Sequence, residues 1–319
     1  MDSAAFTTSQ QADSADPQVV GKRCAAALSK ESMKLTIFTP TYNRADKLHQ
    51  IYKSLLKQNT TDDFEWLIID DGSSDNTEEI VQTYLDNPAV HARYYRKENG
   101  GKHTAHNMAL DLARGDYFMC LDSDDYLEDN ALSKVFSALD ALITCGLIAY
   151  KALADRTLIS NEFPERAQVE STYALSSKYN CHGEFVLIYP TETFRQHPFP
   201  VFRGEKFVTE CVVYDQIQCP MRLLPEIVQI CEYQPEGLSR SVDRVMKTSP
   251  AGYCVYFMQR IDLQESFSKR LFVAGKYNCF CHFAKQQRTR YQGRHKLLVF
   301  AAKPVGILFW LYYKLIRKF

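Results

Sequence analysis

Gly115-Asp116-Tyr117-Phe118-Met119-Cys120-Leu121-Asp122-Ser123-Asp124-Asp125 is the stretch whose reading decides the fold. Five mostly apolar residues, Tyr117 to Leu121, run straight into three carboxylates within four positions. A short apolar run bounded by Gly and polar residues reads as a buried strand. The carboxyl end of such a strand is where an open α/β sheet places its ligands. Carboxylates this close repel one another unless a cation lies between them, and hard oxygen donors suit Mg²⁺ or Mn²⁺. The competing reading is a polar turn whose Asp side chains cap a helix starting near Glu128.

Working outward, the flanking segments repeat one pattern. Leu35–Thr39 is a β-type run closed by Pro40, with a turn at Thr41-Tyr42-Asn43-Arg44. Ala45 to Gln58 follows with Leu48, Ile51, Leu55 and Leu56 at helical spacing. Phe64–Ile69 is a second strand, ending at Asp70-Asp71-Gly72-Ser73-Ser74-Asp75, where Ser74 or Asp75 can cap a helix reaching Leu85. His91–Arg96 is a third strand and Glu98-Asn99-Gly100-Gly101-Lys102-His103 a Gly-rich turn into a helix, Lys102–Ala113. Strands alternating with helices of this length imply βαβ units and a mainly parallel sheet. Beyond residue 145 the pattern loosens: Leu147–Leu153, Phe185–Tyr189 and Ile227–Tyr233 read as strands, Glu205–Gln218 holds a helical stretch, and Ala251 to Gln287 reads as helical.

The 319 residues carry 38 basic and 38 acidic side chains, but the balance is uneven. No Asp or Glu follows Glu265, whereas twelve Lys or Arg do, leaving residues 1–265 with 26 basic against 38 acidic groups. An acidic body with a basic arm points to an anionic surface as partner. Within His295–Phe319, Val305–Tyr313 is apolar and aromatic, flanked by Lys303, Lys314, Arg317 and Lys318. It is too short to span a bilayer, which takes about 20 apolar residues, and it suits the interface of an anionic membrane. The competing fate is a helix docked on the protein's own core. The Arg and Lys residues between 285 and 296 come with no RNA- or DNA-binding motif, so nucleic acid is not an expected partner. The ten cysteines form no CxxC pair and read as reduced thiols. Residues 1–32 lack an apolar h-region and read as a disordered extension.

Four motifs, Thr39-Pro40-Thr41-Tyr42-Asn43-Arg44, Asp70-Asp71-Gly72-Ser73-Ser74-Asp75, Glu98 through Asn107, and Asp122-Ser123-Asp124, stand in the order found in inverting family 2 glycosyltransferases of GT-A fold, which the chain resembles. Weaker matches follow at Gly204–Glu210 and Gly237-Leu238-Ser239-Arg240. The resemblance implies a Rossmann-like α/β domain over residues 33–240, with a nucleotide-binding half at 33–125 and an acceptor half at 126–240. A helical region, 241–319, would end in a membrane-associating tail at 295–319. It also implies a nucleotide-sugar donor, most simply a UDP-sugar, and a glycan or lipid-linked acceptor in surface-polysaccharide synthesis at the cytoplasmic face of the membrane. Thr39 and Tyr42 would line the base pocket, Asp71 accept from the uracil ring, and Asp70 hold the loop. Arg44, Lys102, Asn107, Asp122 and Ser123 would contact the nucleotide sugar. Asp124, with Asp122, would hold Mn²⁺ or Mg²⁺. Glu210 would be the base that deprotonates the acceptor hydroxyl, with Glu205, Asp215 and Glu184 as rivals, because Cys211 stands where the family often has a second carboxylate.

Two other classes compete. A sugar nucleotidyltransferase shares the sheet and carboxylates but uses a Gly-rich loop after its first strand, and Thr39–Arg44 has no Gly. A non-catalytic, membrane-associated nucleotide-binding protein is favoured only if no carboxylate reaches the acceptor side. His103 and His106 read as solvated or packed rather than as phosphate contacts.

Overall fold

A computed structural model describes residues 33–60, 63–140, 146–232, 242–317 and 319. The extension at 1–32 and the Gly237–Arg240 match therefore lie outside the described residues. The first half alternates strand and helix: β1 (Leu35–Thr41), α1 (Ala45–Leu56), β2 (Phe64–Asp70), α2 (Thr77–Leu85), β3 (His91–Arg96), α3 (Lys102–Leu112) and β4 (Tyr117–Cys120). Next come β5 (Asp125–Leu127), α4 (Ala131–Asp140), β6 (Leu147–Leu153), β7 (Val169–Glu170), α5 (Thr172–Tyr179), β8 (Phe185–Pro190), α6 (Thr191–Arg195), α7 (Cys211–Tyr214) and β9 (Met221–Cys231). Five helices close the chain: α8 (Val242–Thr248), α9 (Pro250–Leu263), α10 (Phe267–Ala284), α11 (Lys296–Ala301) and α12 (Lys303–Leu315).

The strands form one sheet in the order β3-β2-β1-β4-β8-β6-β9-β5, with β7 beside β9. The expected parallel pairing holds from β3 to β4. Past β4 the sheet becomes mixed, because β8 runs antiparallel to both β4 and β6. In β1 and β2 both faces are buried, so successive side chains feed two cores. Leu35, Ile37, Trp66 and Ile68 pack against α1, α2 and α4, while Phe38, Leu67 and Ile69 pack against α3, α6, α7 and α9. A third cluster, with Phe257, Phe280, Tyr291 and Tyr313, unites the C-terminal helices.

Register decides where the polar loops emerge. Thr41 lies opposite Asp70, Asp70 opposite Arg96, and Phe38 opposite Cys120. The residues that follow β1, β2, β3 and β4 therefore leave the sheet along one edge. The helical stretch expected within Glu205–Gln218 is Cys211–Tyr214, extended by turns. It starts no earlier because of a tertiary capture: the Glu205 carboxylate accepts the N–H groups of Ala251 (2.8 Å) and Gly252 (3.0 Å), capping α9 instead of starting a helix of its own.

At the opposite end of the sheet, Glu65 is fully buried and clamps three segments. It accepts from the Thr36 hydroxyl (2.6 Å) and the Arg114 N–H (2.7 Å) and pairs with Arg93 (2.7 Å). Glu65→Ala leaves the largely buried Arg93 guanidinium without its carboxylate, so it should cost about 3 kcal/mol in urea unfolding, against about 2 kcal/mol for Thr36→Val, which removes two hydrogen bonds, one to Glu65 and one from the Gly115 N–H. Equal losses would mean that the ion pair adds nothing beyond its hydrogen bonds.

Candidate active site

The site starts from the second carboxylate after β2. Asp71 is buried and accepts the N–H of Gly100 (2.9 Å), the N–H of Gly101 (2.7 Å) and the Lys97 ammonium (2.7 Å). These bonds shape the Gly-rich turn at the start of α3. Gly101 has φ +94°, and a Cβ there would lie 1.9 Å from the Lys206 carbonyl oxygen, so no other residue fits. The turn thus sets both Lys102, the first residue of α3, and the segment leading to Glu210.

Lys102 is the hub of the edge. Its ammonium lies 2.7 Å from the Asp122 carboxylate and 3.0 Å from that of Glu210. Burial alone would lower the Lys102 pKa, yet Asp122 and Glu210 hold it well above the usual ammonium value. Burial alone would likewise raise Asp122, but Lys102 and Lys151 more than offset it and hold that carboxyl at about 2. Beside this pair, Arg44 reaches Asp124 at 2.6 Å. The carboxylates of the DSD triplet thus each meet a cation from a different loop.

Behind them sits a cluster that sequence reading did not single out. Asp125 is buried, accepts from the Gln229 amide and lies 3.7 Å from Lys151. Burial, with Asp122 and Asp124 nearby, pushes Asp125 up to about 6 against the pull of Lys151. A lone Lys inside the otherwise apolar strand Leu147–Leu153 was the signal available in the sequence.

Other expected residues have different surroundings. Tyr42 is half exposed at the edge, an open aromatic face. Asp70 holds its loop, accepting from Ser73 N–H (2.8 Å) and the Tyr94 hydroxyl (2.7 Å). Asp71 already takes three of the roughly four hydrogen bonds a carboxylate accepts, leaving one position for a ligand. Ser123 is buried within the triplet. Thr39 does not face an open pocket: it is fully buried and its hydroxyl accepts from the Trp66 indole N–H (2.9 Å). Two residues on, along the same strand face, the Thr41 hydroxyl is buried as well and has no partner. Asn107 also turns away. Its amide exchanges two hydrogen bonds of 2.9 Å with the Phe199 backbone, pinning the Pro198-Phe199-Pro200 segment to α3.

The rivals for the base are thinned by geometry. Glu205 is consumed in capping α9, and Asp215 forms a two-pronged pair with Arg260. Glu184 is exposed just before β8, whereas Glu210 lies against Lys102.

The family model described as "Glycosyl transferase family 2" matches residues 36–207. The chain belongs to glycosyl transferase family 2. The match ends three residues before Glu210, so it spans all four motifs and stops short of the expected base. The chondroitin synthase of Pasteurella multocida (strain Pm70) is 36% identical over 147 residues, which is 44% of this chain and 15% of that much longer enzyme. The crystal structure of S. aureus TarS 1-349 in complex with UDP-GlcNAc matches with TM-score 0.57 at 18% identity, covering 87% of this chain and 89% of that one. The mannosyltransferase PcManGT from Pyrobaculum calidifontis, in complex with GDP-Man and Mn²⁺, matches with TM-score 0.52 at 18% identity, covering 92% of this chain and 86% of that one. The last two likenesses establish the GT-A fold of this family 2 glycosyltransferase.

Two hard carboxylates, Asp122 and Asp124, suit a divalent ion of the Mg²⁺ type, which is commonly held by one or two carboxylates together with substrate phosphates. No group of three or more His, Cys, Asp or Glu gathers among the described residues, so the other ligands would have to come from the substrate.

Of the two readings open for His103 and His106, solvated or packed, the structure shows both packed. His106 sits among Phe38, Phe118, Phe194 and Phe199, and no ring nitrogen of either histidine has a partner. Burial lowers His103 to about 4 and, with Lys102 adding, His106 to about 3. An unfolded His titrates near 6.5, so between those values the unfolded chain binds the extra proton. Stability is then full above pH 6.5 and lost as the pH falls. Between pH 7 and 5.5 the His106 ring should cost about 1 kcal/mol, a loss absent from His106→Leu. Urea unfolding of both proteins at the two pH values checks this; parallel losses would refute it.

Proposed function

We propose that this family 2 enzyme transfers a sugar, with inversion at the anomeric carbon, from a nucleotide-sugar donor to a hydroxyl of a glycan or lipid-linked acceptor in surface-polysaccharide synthesis. The observation that carries this is the Lys102 ammonium, within 3.0 Å of both Asp122 and Glu210. One cation joins a carboxylate at the carboxyl end of β4, where an α/β sheet places its ligand, to a carboxylate from the second half of the chain.

In this reading Glu210 takes the proton of the acceptor hydroxyl as that oxygen bonds the anomeric carbon. The bond from that carbon to the diphosphate oxygen breaks, and its electron pair leaves with the nucleoside diphosphate. Lys102 and Arg44, paired with Asp122 and Asp124 before substrate arrives, turn to the diphosphate oxygens, and the N–H groups at the start of α3 favour phosphate there. Asp122 and Asp124 would then hold Mn²⁺ or Mg²⁺, which stabilises charge on the leaving diphosphate. Tyr42 offers the base a stacking face, with the free Thr41 hydroxyl and the remaining acceptor position of Asp71 beside it. UDP is the nucleotide we favour, on the likeness to TarS, whose complex holds UDP-GlcNAc. A lipid-linked acceptor would place the work at the inner face of the cell membrane.

Two variants test the assignment. Asp124→Ala should abolish the part of UDP binding that Mn²⁺ adds, read by titration calorimetry with and without the metal. Glu210→Gln should keep that binding but lose roughly 10²–10⁴-fold in UDP release from UDP-sugars with acceptor present, the scale of a missing general base. Full transfer by Glu210→Gln would remove it as the base, and release from GDP- or dTDP-sugars alone would overturn the choice of UDP.

A further inference from the structure

The terminal helices carry apolar side chains on two faces, and only one of them is used. Ala302, just before α12, and Gly306 and Tyr313 on it are buried, with Phe309 against Phe272 and Trp310 against His282 on α10. The contact is close: a Cβ on Gly306 would meet the Asn278 Cβ at 2.7 Å. On the opposite side Ile307, Leu308, Leu311 and Leu315 follow at helical spacing and stand exposed, Leu308 by 66% and Leu315 by 74%. Leu297 (87%) and Phe300 (67%) on α11 are exposed as well. Scattered apolar residues on a surface need no explanation, but a contiguous stripe does.

The rim of the stripe is cationic. Lys296, Lys303, Lys314 and Arg317 are exposed beside it. A cavity of about 770 Å³ opens between α10 and α11, lined by Arg288, Arg290, Lys296, Lys303 and the Phe300 ring. Among the described residues, acidic partners reach this region from earlier helices: Asp243 pairs with Arg317 (2.7 Å), and Asp262 lies 3.9 Å from His295. No described helix is long and apolar enough to cross a membrane.

We propose that α11 and α12 form an in-plane anchor. Ile307, Leu308, Leu311, Leu315, Leu297 and Phe300 enter the acyl boundary of an anionic bilayer, and the basic cavity seats lipid phosphates. Of the possible occupants, a bilayer fits best, because an apolar stripe bordered by lysines matches headgroup charge and acyl chains together. The anchor deepens the membrane-surface reading of the acceptor, and its test does not depend on the transfer reaction.

The experiment is flotation of the full chain with vesicles of phosphatidylcholine alone or mixed with phosphatidylglycerol, at low and high salt. The chain should float with the mixed vesicles, less so as salt screens the charges. The double variant Leu308→Ser/Leu311→Ser should bind at least about tenfold more weakly, as expected from losing several buried methylenes at ~0.8 kcal/mol each. Unchanged Mn²⁺-dependent UDP binding would show the variant folded. The exposed-charge variant Lys296→Gln/Lys303→Gln/Lys314→Gln, which disturbs no core contact, should lose the preference for phosphatidylglycerol. Flotation indifferent to phosphatidylglycerol would overturn the anchor, as would wild-type flotation of the double leucine variant. So would light scattering that finds a dimer in the wild type and a monomer in that variant, since a second copy would then own the face.

Discussion

The carboxylate of Asp71 is the constraint on which the site depends. Asp71 directly follows β2, yet its carboxylate's hydrogen bonds all go to the loop after β3, and that loop leads into α3. Because Gly101 lies in van der Waals contact with the Lys206 carbonyl, the same grip extends to the segment carrying Glu210. Chain positions 71, 101, 206 and 210 are thus coupled through one buried acceptor and one missing side chain. A carboxylate at a helix start is also favoured by the exposed N–H groups there, so local and long-range preferences agree.

Charge pairing along the edge follows from the sheet. Parallel strands β1, β2 and β4 run to the same edge of the sheet, and Asp70, Asp71, Asp122 and Asp124 lie at or just past their carboxyl ends. Each finds a donor from another segment: Tyr94 for Asp70, Lys97 for Asp71, Lys102 for Asp122 and Arg44 for Asp124. For Asp122 the balance can be read directly. Burial pushes its pKa up, two lysines push it down, and the lysines prevail. Asp125, one lysine against burial and two carboxylates, goes the other way. Carboxylates paired with mobile Lys and Arg side chains can change partners at little cost; those bound to backbone N–H groups, such as Asp71, cannot.

The C-terminal helices matter to this edge although they contribute none of its charges. Glu205 caps α9, Phe207 lies beside Tyr253, and Asp215 is locked to Arg260. Glu210 is therefore held between two anchored residues on a segment that is mostly turn, and the helical bundle serves as its rear support. That bundle has its own aromatic core, around Phe257, Phe280 and Tyr313.

Much of this was legible in local chemistry. The strand–helix alternation, the four motifs and the apolar basic tail are properties of neighbouring residues, and periodicity or spacing reports them directly. Glu210 and the Lys102 turn were also named from motifs. What only the tertiary structure decided was how far-apart groups spend their hydrogen bonds. Asn107 goes to Phe199, Thr39 to Trp66, Glu205 to α9, and Lys151 arrives beside Asp122 and Asp125 from a strand that reads as plain core. A side chain's type is written in the chain, but its partner is set by strand order and register. Only the fold determines which of two equally polar residues meets a ligand and which is already satisfied.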